Sequence, residues 1–289
     1  MEGVGLDRFP SSGWAQWLTR AAAPPAASIT YYRSIWISDL HLGTLRCKAE
    51  LLHDFLRHHR ADNLYLVGDI VDGWVLGPSW YWSEAQTAVV EEIAEWHRRG
   101  ARVVFLPGNH DEFSAELVQS FFGPIAVTNE LIHRTAEGRR MLVIHGHQFD
   151  GSLNPNRWFV RMGHQAYLTA LRVDRWYNGD GRLRRARKGP LSSYLKGGVK
   201  KAVEYLTDFS DRAVSETARK HKADGVICGH VHRPEQRLIG PIWYINDGDW
   251  VHSCTAVAED RNGVLALLRW DRGHGRQAAS DSLAEAALS

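Results

Sequence analysis

Cysteine is scarce in this chain: Cys47, Cys228 and Cys254 are the three in 289 residues, and no two form a C-x-x-C pair. That excludes a disulfide framework and a thiolate zinc module, and it points to a reducing compartment. Long apolar runs are also missing; none approaches the roughly 20 residues that a membrane-spanning helix needs. Asp7, Arg8 and Arg20 interrupt the N-terminal stretch, so it lacks the apolar core of a secretory signal. Net charge is small, +2. Hydrophobic residues at 44% and charged residues at 24% exclude a wholly disordered chain, and the length is ample for a buried core without covalent staples.

Two residue types are abundant instead. The 15 histidines invite a search for metal ligands, and the 12 tryptophans suggest an amphipathic surface or lid. The small net charge conceals a strong asymmetry. Residues 151–201 hold twelve Lys and Arg against Asp174 and Asp180, a segment charge of +10, which leaves −8 on the remainder. A one-sign field of this kind reads as a docking surface for phosphate, anionic lipid or nucleic acid.

The chain divides into a flexible N-terminal tail (1–30), a main domain (31–270) and a loose C-terminal tail (271–289). Short apolar runs predict strands at Ser34–Ser38, Asn63–Val67, Ala101–Leu106, Arg140–Ile144 and Gly225–Cys228. Four more close the domain, at Arg237–Ile239, Ile242–Asn246, Ser253–Glu259 and Gly263–Trp270. Helical spacing predicts helices at Lys48–His59, Ser83–Arg99, Ala115–Phe121 and Asp208–His221. Alternating strands and amphipathic helices indicate a layered α/β fold. Residues 151–205 break the rhythm: helical, basic and aromatic, they read as a cap inserted over the sheet.

Five short pieces each follow a predicted strand: Ser38-Asp39-Leu40-His41, Gly68-Asp69-Ile70-Val71-Asp72, Gly108-Asn109-His110-Asp111, His145-Gly146-His147 and Gly229-His230-Val231-His232. In an open α/β sheet the loops beyond the strands' carboxyl ends line the ligand crevice, so distant pieces can converge there. Asp39 and His41 can chelate from one side of an extended loop. Asp69 has two oxygens with which to bridge two cations. Asn109 offers an amide oxygen, and His145, His230 and His232 offer imidazole nitrogens. Mixed oxygen and nitrogen donors suit Mn, Fe, Zn or Co rather than Ca. Any one piece alone is a common loop; the ordered set after apolar strands is not.

That ordered set resembles the calcineurin-like metallophosphoesterases over about residues 34–260, outside the cap. The resemblance implies a four-layer α/β/β/α sandwich holding two divalent metal ions, Mn foremost, with Fe, Zn or Co compatible. It implies that Asp39, His41 and His232 hold one metal, that Asp69 bridges, and that Asn109, His145 and His230 hold the other. His110 becomes the catalytic histidine with Asp72 as its orienting partner, and His147 a neighbouring substrate contact. The implied chemistry is attack of a metal-bridging hydroxide on a phosphoester or pyrophosphate. Trp36–Gly43, Gly108–Phe113 and Asn246–Val251 further resemble the UDP-2,3-diacylglucosamine hydrolase branch, whose members carry an acyl-gripping helical insertion where the cap lies, although that branch has Arg where this chain has His110. In the cap, Arg157, Trp158, Arg161, Tyr167 and Lys196 are then candidate contacts for an acylated nucleotide or lipid phosphoester and for a membrane surface. The expected location is the cytoplasm, at the inner face of the membrane. General phosphodiesterase or phosphatase action on nucleotides or phospholipids is the alternative. A non-catalytic scaffold or nucleic-acid binder of the same fold is the alternative of another class.

Overall fold

A computed structural model describes residues 29–73, 80–111, 115–152 and 211–271. Both tails from the sequence reading fall almost wholly outside these residues. So do the cap and with it Arg157, Trp158, Arg161, Tyr167 and Lys196.

The first half alternates strand and helix: β1 (Thr30–Ile37), α1 (Ala49–His58), β2 (His59–Val67), α2 (Glu84–Arg98), β3 (Arg102–Leu106), α3 (Ala115–Phe122) and β4 (Ala126–Val127). Then come β5 (Leu131–Arg134), β6 (Arg140–Val143), helix α4 over 211–220, and β7 (Gly225–Cys228). The described chain closes with β8 (Glu235–Ile239), β9 (Ile242–Asn246), β10 (Thr255–Glu259) and β11 (Leu265–Arg269). The strands form two sheets, ordered β11-β10-β1-β2-β3-β4 and β5-β6-β7-β9-β8. β1, β2, β3 and β4 run parallel in one sheet; β6, β7 and β9 run parallel in the other.

Period-two alternation explains the layering, because successive side chains of a strand face opposite ways. Trp36, Tyr65, Val67, Val104 and Leu106 of the first sheet meet Met141, Val143, Ile227 and Ile245 of the second in a core between the sheets. The alternate residues Ile35, Ile37, Leu64, Leu66, Val103 and Phe105 face outwards. They bury Leu52, Phe55 and Leu56 of α1, Val89, Ile93 and Trp96 of α2, and Val118 and Phe122 of α3. Leu142, Val226 and Cys228 likewise face Val214 and Ala218 of α4. The result is the expected helix–sheet–sheet–helix sandwich. Its central strands are near-continuous apolar runs because both faces are covered. Ser83 caps α2, its hydroxyl accepting from the Gln86 amide. No helix among the described residues is long and apolar enough to cross a membrane.

Three strands begin earlier than expected, among them β8, whose Glu235 and Gln236 pair with Asn246 and Ile245 of β9. Parallel pairing of Thr30 with His59 and Tyr31 with Arg60 draws the polar lead-ins of β1 and β2 into the sheet. The short strands β4 and β5 were not expected from the sequence at all.

Candidate metal centre

The parallel strands of both sheets point their carboxyl ends at one place. β1 leads to Asp39 and His41, β2 to Asp69, β3 to Asn109 and His110, β6 to His145, and β7 to His230 and His232. Loop backbone bonds tie these ends together: Asp39 N–H donates to Gly68 C=O (2.9 Å), His41 N–H to Asp69 C=O (3.0 Å) and Gly229 N–H to His145 C=O (3.0 Å).

Backbone geometry marks the place independently. Asp39, His41, Asp69, His230 and His232 all adopt positive φ, between 48° and 72°. Non-glycine residues avoid that region, and such strain is retained where surrounding structure fixes side chains for a task. The adjacent glycines leave no spare room. A Cβ on Gly108 would overlap Asp69 Oδ1, and one on Gly229 would overlap Ser38 Oγ and Asp39 Oδ2.

The candidate side chains gather in three overlapping groups, each with its donor atoms within 4.8 Å: Asp39, His41 and His232; Asp69, His145 and His230; and His41, Asp69 and His110. His232 Nε2 lies 3.0 Å and His41 Nε2 3.9 Å from Asp39 Oδ1. The two imidazoles face each other, Nε2 to Nε2, at 3.4 Å. His145 Nε2 is 3.4 Å from Asp69 Oδ1, and His110 Nε2 is 3.8 Å from Asp69 Oδ2. His147 stands beside the groups, its ring centre 5.4 Å from that of His145 and 6.4 Å from that of His230.

These residues fit divalent metal ions. Asn109 Oδ1 and His145 Nε2 are buried without a hydrogen-bond partner, an arrangement that is costly unless another group satisfies the atoms. The imidazoles are aimed by their far nitrogens, as metal-ligating histidines are. His145 Nδ1–H donates to Val67 C=O (2.8 Å), and His41 Nδ1–H donates to Asp72 Oδ2 (3.0 Å). In both rings Nε2 is left to face the cluster. The negative field is in excess. Although burial opposes it, the nearby Asp69 and Asp39 carboxylates push the His145 pKa up to about 9. His232 is likewise raised against burial by Asp39. Asp69 is held below the usual carboxylate range, its burial outweighed by His145 and by the His110 amide. A cation would neutralise this field.

Several contacts were not legible as roles in the sequence. Besides His110, whose Nδ1–H donates to Asp72 Oδ1 (3.0 Å), Asp72 serves a second ring that the sequence reading did not assign to it, its Oδ2 accepting from His41. Asp111 ties two loops together, accepting from the amides of Ile70, Val71 and Gly108. Ser38 Oγ sits 2.6 Å from both Asp39 Oδ2 and Asp247 Oδ1. Its hydroxyl donates to these two carboxylate oxygens, and burial raises the Asp247 pKa well above its ordinary value. Asp249 Oδ1 accepts from the Val251, His252 and Ser253 amides, and Oδ2 lies 3.9 Å from His232 Nδ1. The signal was present in Asn246-Asp247-Gly248-Asp249, which follows β9 as the other pieces follow their strands.

Comparison with known proteins agrees in kind. The calcineurin-like phosphoesterase profile matches residues 32–234. A UDP-2,3-diacylglucosamine hydrolase of Xanthomonas campestris is 28% identical over 249 residues, covering 80% of this chain and 96% of that protein. The enzyme of that name from Cellvibrio japonicus is 26% identical over 249 residues, covering 82% and 99%. Among solved structures, vacuolar protein sorting 29 from Cryptosporidium parvum shares 12% identity, covering 83% of this chain and 92% of that one, with a TM-score of 0.43.

Proposed function

The chain belongs to the calcineurin-like phosphoesterase family and is a hydrolase of phosphoester bonds; from that premise we propose that it cleaves the pyrophosphate of UDP-2,3-diacylglucosamine, or of a related acylated nucleotide or lipid phosphoester, at a two-metal centre. The observation that carries this reading is the convergence of Asp39, His41 and His232 with Asp69, His145 and His230, the two groups overlapping through a third made by His41, Asp69 and His110.

Asp39, His41 and His232 would hold one ion, and Asn109, His145 and His230 the other, with Asp69 shared between them. Such a pair, when bound, supplies Lewis acidity to the phosphoryl oxygens and makes water acidic enough to act as nucleophile at neutral pH. The chain's own groups do the rest. Asp72 fixes His110 through Nδ1, which turns Nε2 towards the cluster. Burial lowers the His110 pKa, but the Asp72 hydrogen bond and the Asp69 charge outweigh it and leave the pKa raised. Protonated on Nε2, His110 would stand where it can give that proton to the departing phosphate oxygen. Ser38 and Asp247 orient Asp39 so that its Oδ1 stays turned towards His41 and His232.

Two observations favour an acylated substrate. The relatives named for that reaction are matched over nearly their whole length. Apolar Val231, lying between His230 and His232, is 56% exposed, and Leu45, in the loop after His41, is 76% exposed. Val231 thus offers apolar surface between two histidines of the cluster, and Leu45 offers it four residues beyond His41 in the chain. The cap, with Arg157, Trp158, Arg161, Tyr167 and Lys196, would extend that surface towards the acyl chains and the inner membrane face.

The test is a product assay under Mn(II), with UDP-2,3-diacylglucosamine beside simple phosphomonoesters and diesters. Release of UMP at the highest kcat/KM is expected. Preference for a simple ester with no UMP formed would assign the chain to general phosphoesterase action.

A further inference from the structure

We propose that the end of the sandwich opposite the metal centre holds a second binding site, for a small phosphate-bearing anion. A cleft of about 350 Å³ opens there between the two sheets, lined by Arg33, Arg102, Arg134 and Arg140 with His133 and Tyr65. Its position follows from strand register. Arg102 is the first residue of β3 and pairs with Asn63 of β2, which pairs in turn with Ser34 of β1. Across the gap, Arg134 ends β5 and pairs with Arg140, the first residue of β6. From Asn63 the chain runs six residues, about 20 Å of extended strand, before it reaches Asp69. The two sites therefore share strands but lie at opposite ends of them.

The charge on this cleft is unbalanced. One carboxylate stands behind it, the fully buried Glu259, and it is already engaged. Arg33 Nη1 donates to both of its oxygens at 2.7 Å, His133 Nε2–H donates at 2.8 Å and the Ala136 amide at 2.8 Å. Because Nε2 carries the His133 proton, Nδ1 accepts from Tyr65 O–H (2.9 Å). Arg33 and His133 are thus a fixed floor. The other three guanidinium groups have no such partner. Arg140 donates from Nε to Lys222 C=O (2.8 Å) and from Nη2 to His221 C=O (3.2 Å); its backbone N–H donates to the Asp224 carboxylate (2.8 Å), and its guanidinium forms no ion pair among the described residues. Among the described residues, Arg102 and Arg134 form no ion pair.

Like charges gathered in one concavity repel and raise the free energy of the fold unless an anion joins them. Guanidinium forks match the paired oxygens of phosphate, and the volume is that of a small-ligand site rather than a track for a polymer.

Phosphate would also be drawn to the metal centre, so the distal site is read in the full-length Asp69→Asn chain by isothermal titration with inorganic phosphate. Saturable binding is expected there, weakened by about tenfold or more when Arg102→Ala and Arg134→Ala are added. No binding by Asp69→Asn, or binding indifferent to the arginine changes, overturns the proposal. In the otherwise unaltered chain the two arginine substitutions are expected to leave hydrolysis of bis(p-nitrophenyl) phosphate unchanged; a parallel loss of hydrolysis would show that the cleft is not a separate site. A measurement without variants gives the same decision. Phosphate should slow phenylglyoxal labelling of Arg102 and Arg134 in the parent protein, read by peptide mass spectrometry, and equal labelling with and without phosphate contradicts the site.

Discussion

The two ends of the sandwich are built on the same strands and carry opposite chemistry. At the carboxyl ends, acids and imidazoles lie within 3.0–3.9 Å of one another, on loops where five non-glycine residues take positive φ. At the amino ends of β3 and β6, arginines stand in regular extended backbone, in register with their ladder partners. The first arrangement crowds ligands around a point, which only departures from strand geometry allow. The second spreads charges along a row, which strand geometry supplies without strain. On the readings proposed above, one end would hold cations and the other would receive an anion.

Substitutions can break this contrast, and the largest effect is expected at Asp69. Asp69 belongs to two of the three candidate groups, with His41 and His110 and with His145 and His230, so Asp69→Ala should lower hydrolysis of bis(p-nitrophenyl) phosphate by about 10³-fold or more. Retained activity, measured under saturating Mn(II), would break the site assignment. Next comes a pair of glycines. Gly108→Ala would press a methyl group onto Asp69 and should weaken metal binding by about 10–100-fold in a metal titration. Gly138→Ala, in the β5–β6 turn at the other end, meets no atom within 4 Å although its φ is +89°. It should cost only about 1 kcal/mol of stability and leave activity intact, because the penalty there is conformational alone.

Asp72→Asn is expected to reduce kcat by about 10–100-fold, since it releases His41 and His110 together. It should also move the pH profile. The Asp72 carboxylate helps hold the His110 pKa above its ordinary value, so the protonated form is lost only as pH rises through that raised value. Without the carboxylate, the falling alkaline limb should shift to lower pH; an unmoved limb would remove His110 as proton donor. At the far end the expected effect is on stability alone. Burial opposes ionisation of Glu259, but His133, the Ala136 amide and Arg33 outweigh it and keep its folded pKa below 4.5. Its stabilisation is therefore present above that pH and is lost as pH falls through the lowered value. Glu259→Gln should cost about 1–3 kcal/mol near neutrality and flatten the acid decline in urea melts between neutral and acid pH.

Much of this was legible in the sequence, for physical reasons that also mark its limits. Strand cores such as Leu64–Val67 and Val103–Leu106 are apolar on both faces, so they stood out from their surroundings. The chemistry-bearing pieces stood out because Gly, Asp and His are atypical after such runs. The polar starts of β1 and β2, at Thr30–Arg33 and His59–Asp62, did not read as strand, because only parallel pairing with each other makes them so. β4 has two residues and too little pattern to detect. Roles that depend on partners far along the chain stayed hidden. Nothing local says that Ser38 meets Asp247, 209 residues away, or that one Asp72 carboxylate orients two rings. The arginine cleft was hidden for the same reason, since Arg33, Arg102, Arg134 and Arg140 are scattered in sequence and meet only through register.

Metal stoichiometry is the most direct test of the centre. Full-length protein reconstituted with Mn(II) and freed of excess should contain two ions per chain by inductively coupled plasma mass spectrometry, with hydrolysis rising in step with the second. Fewer than two, or hydrolysis that is complete without them, would contradict the two-metal site.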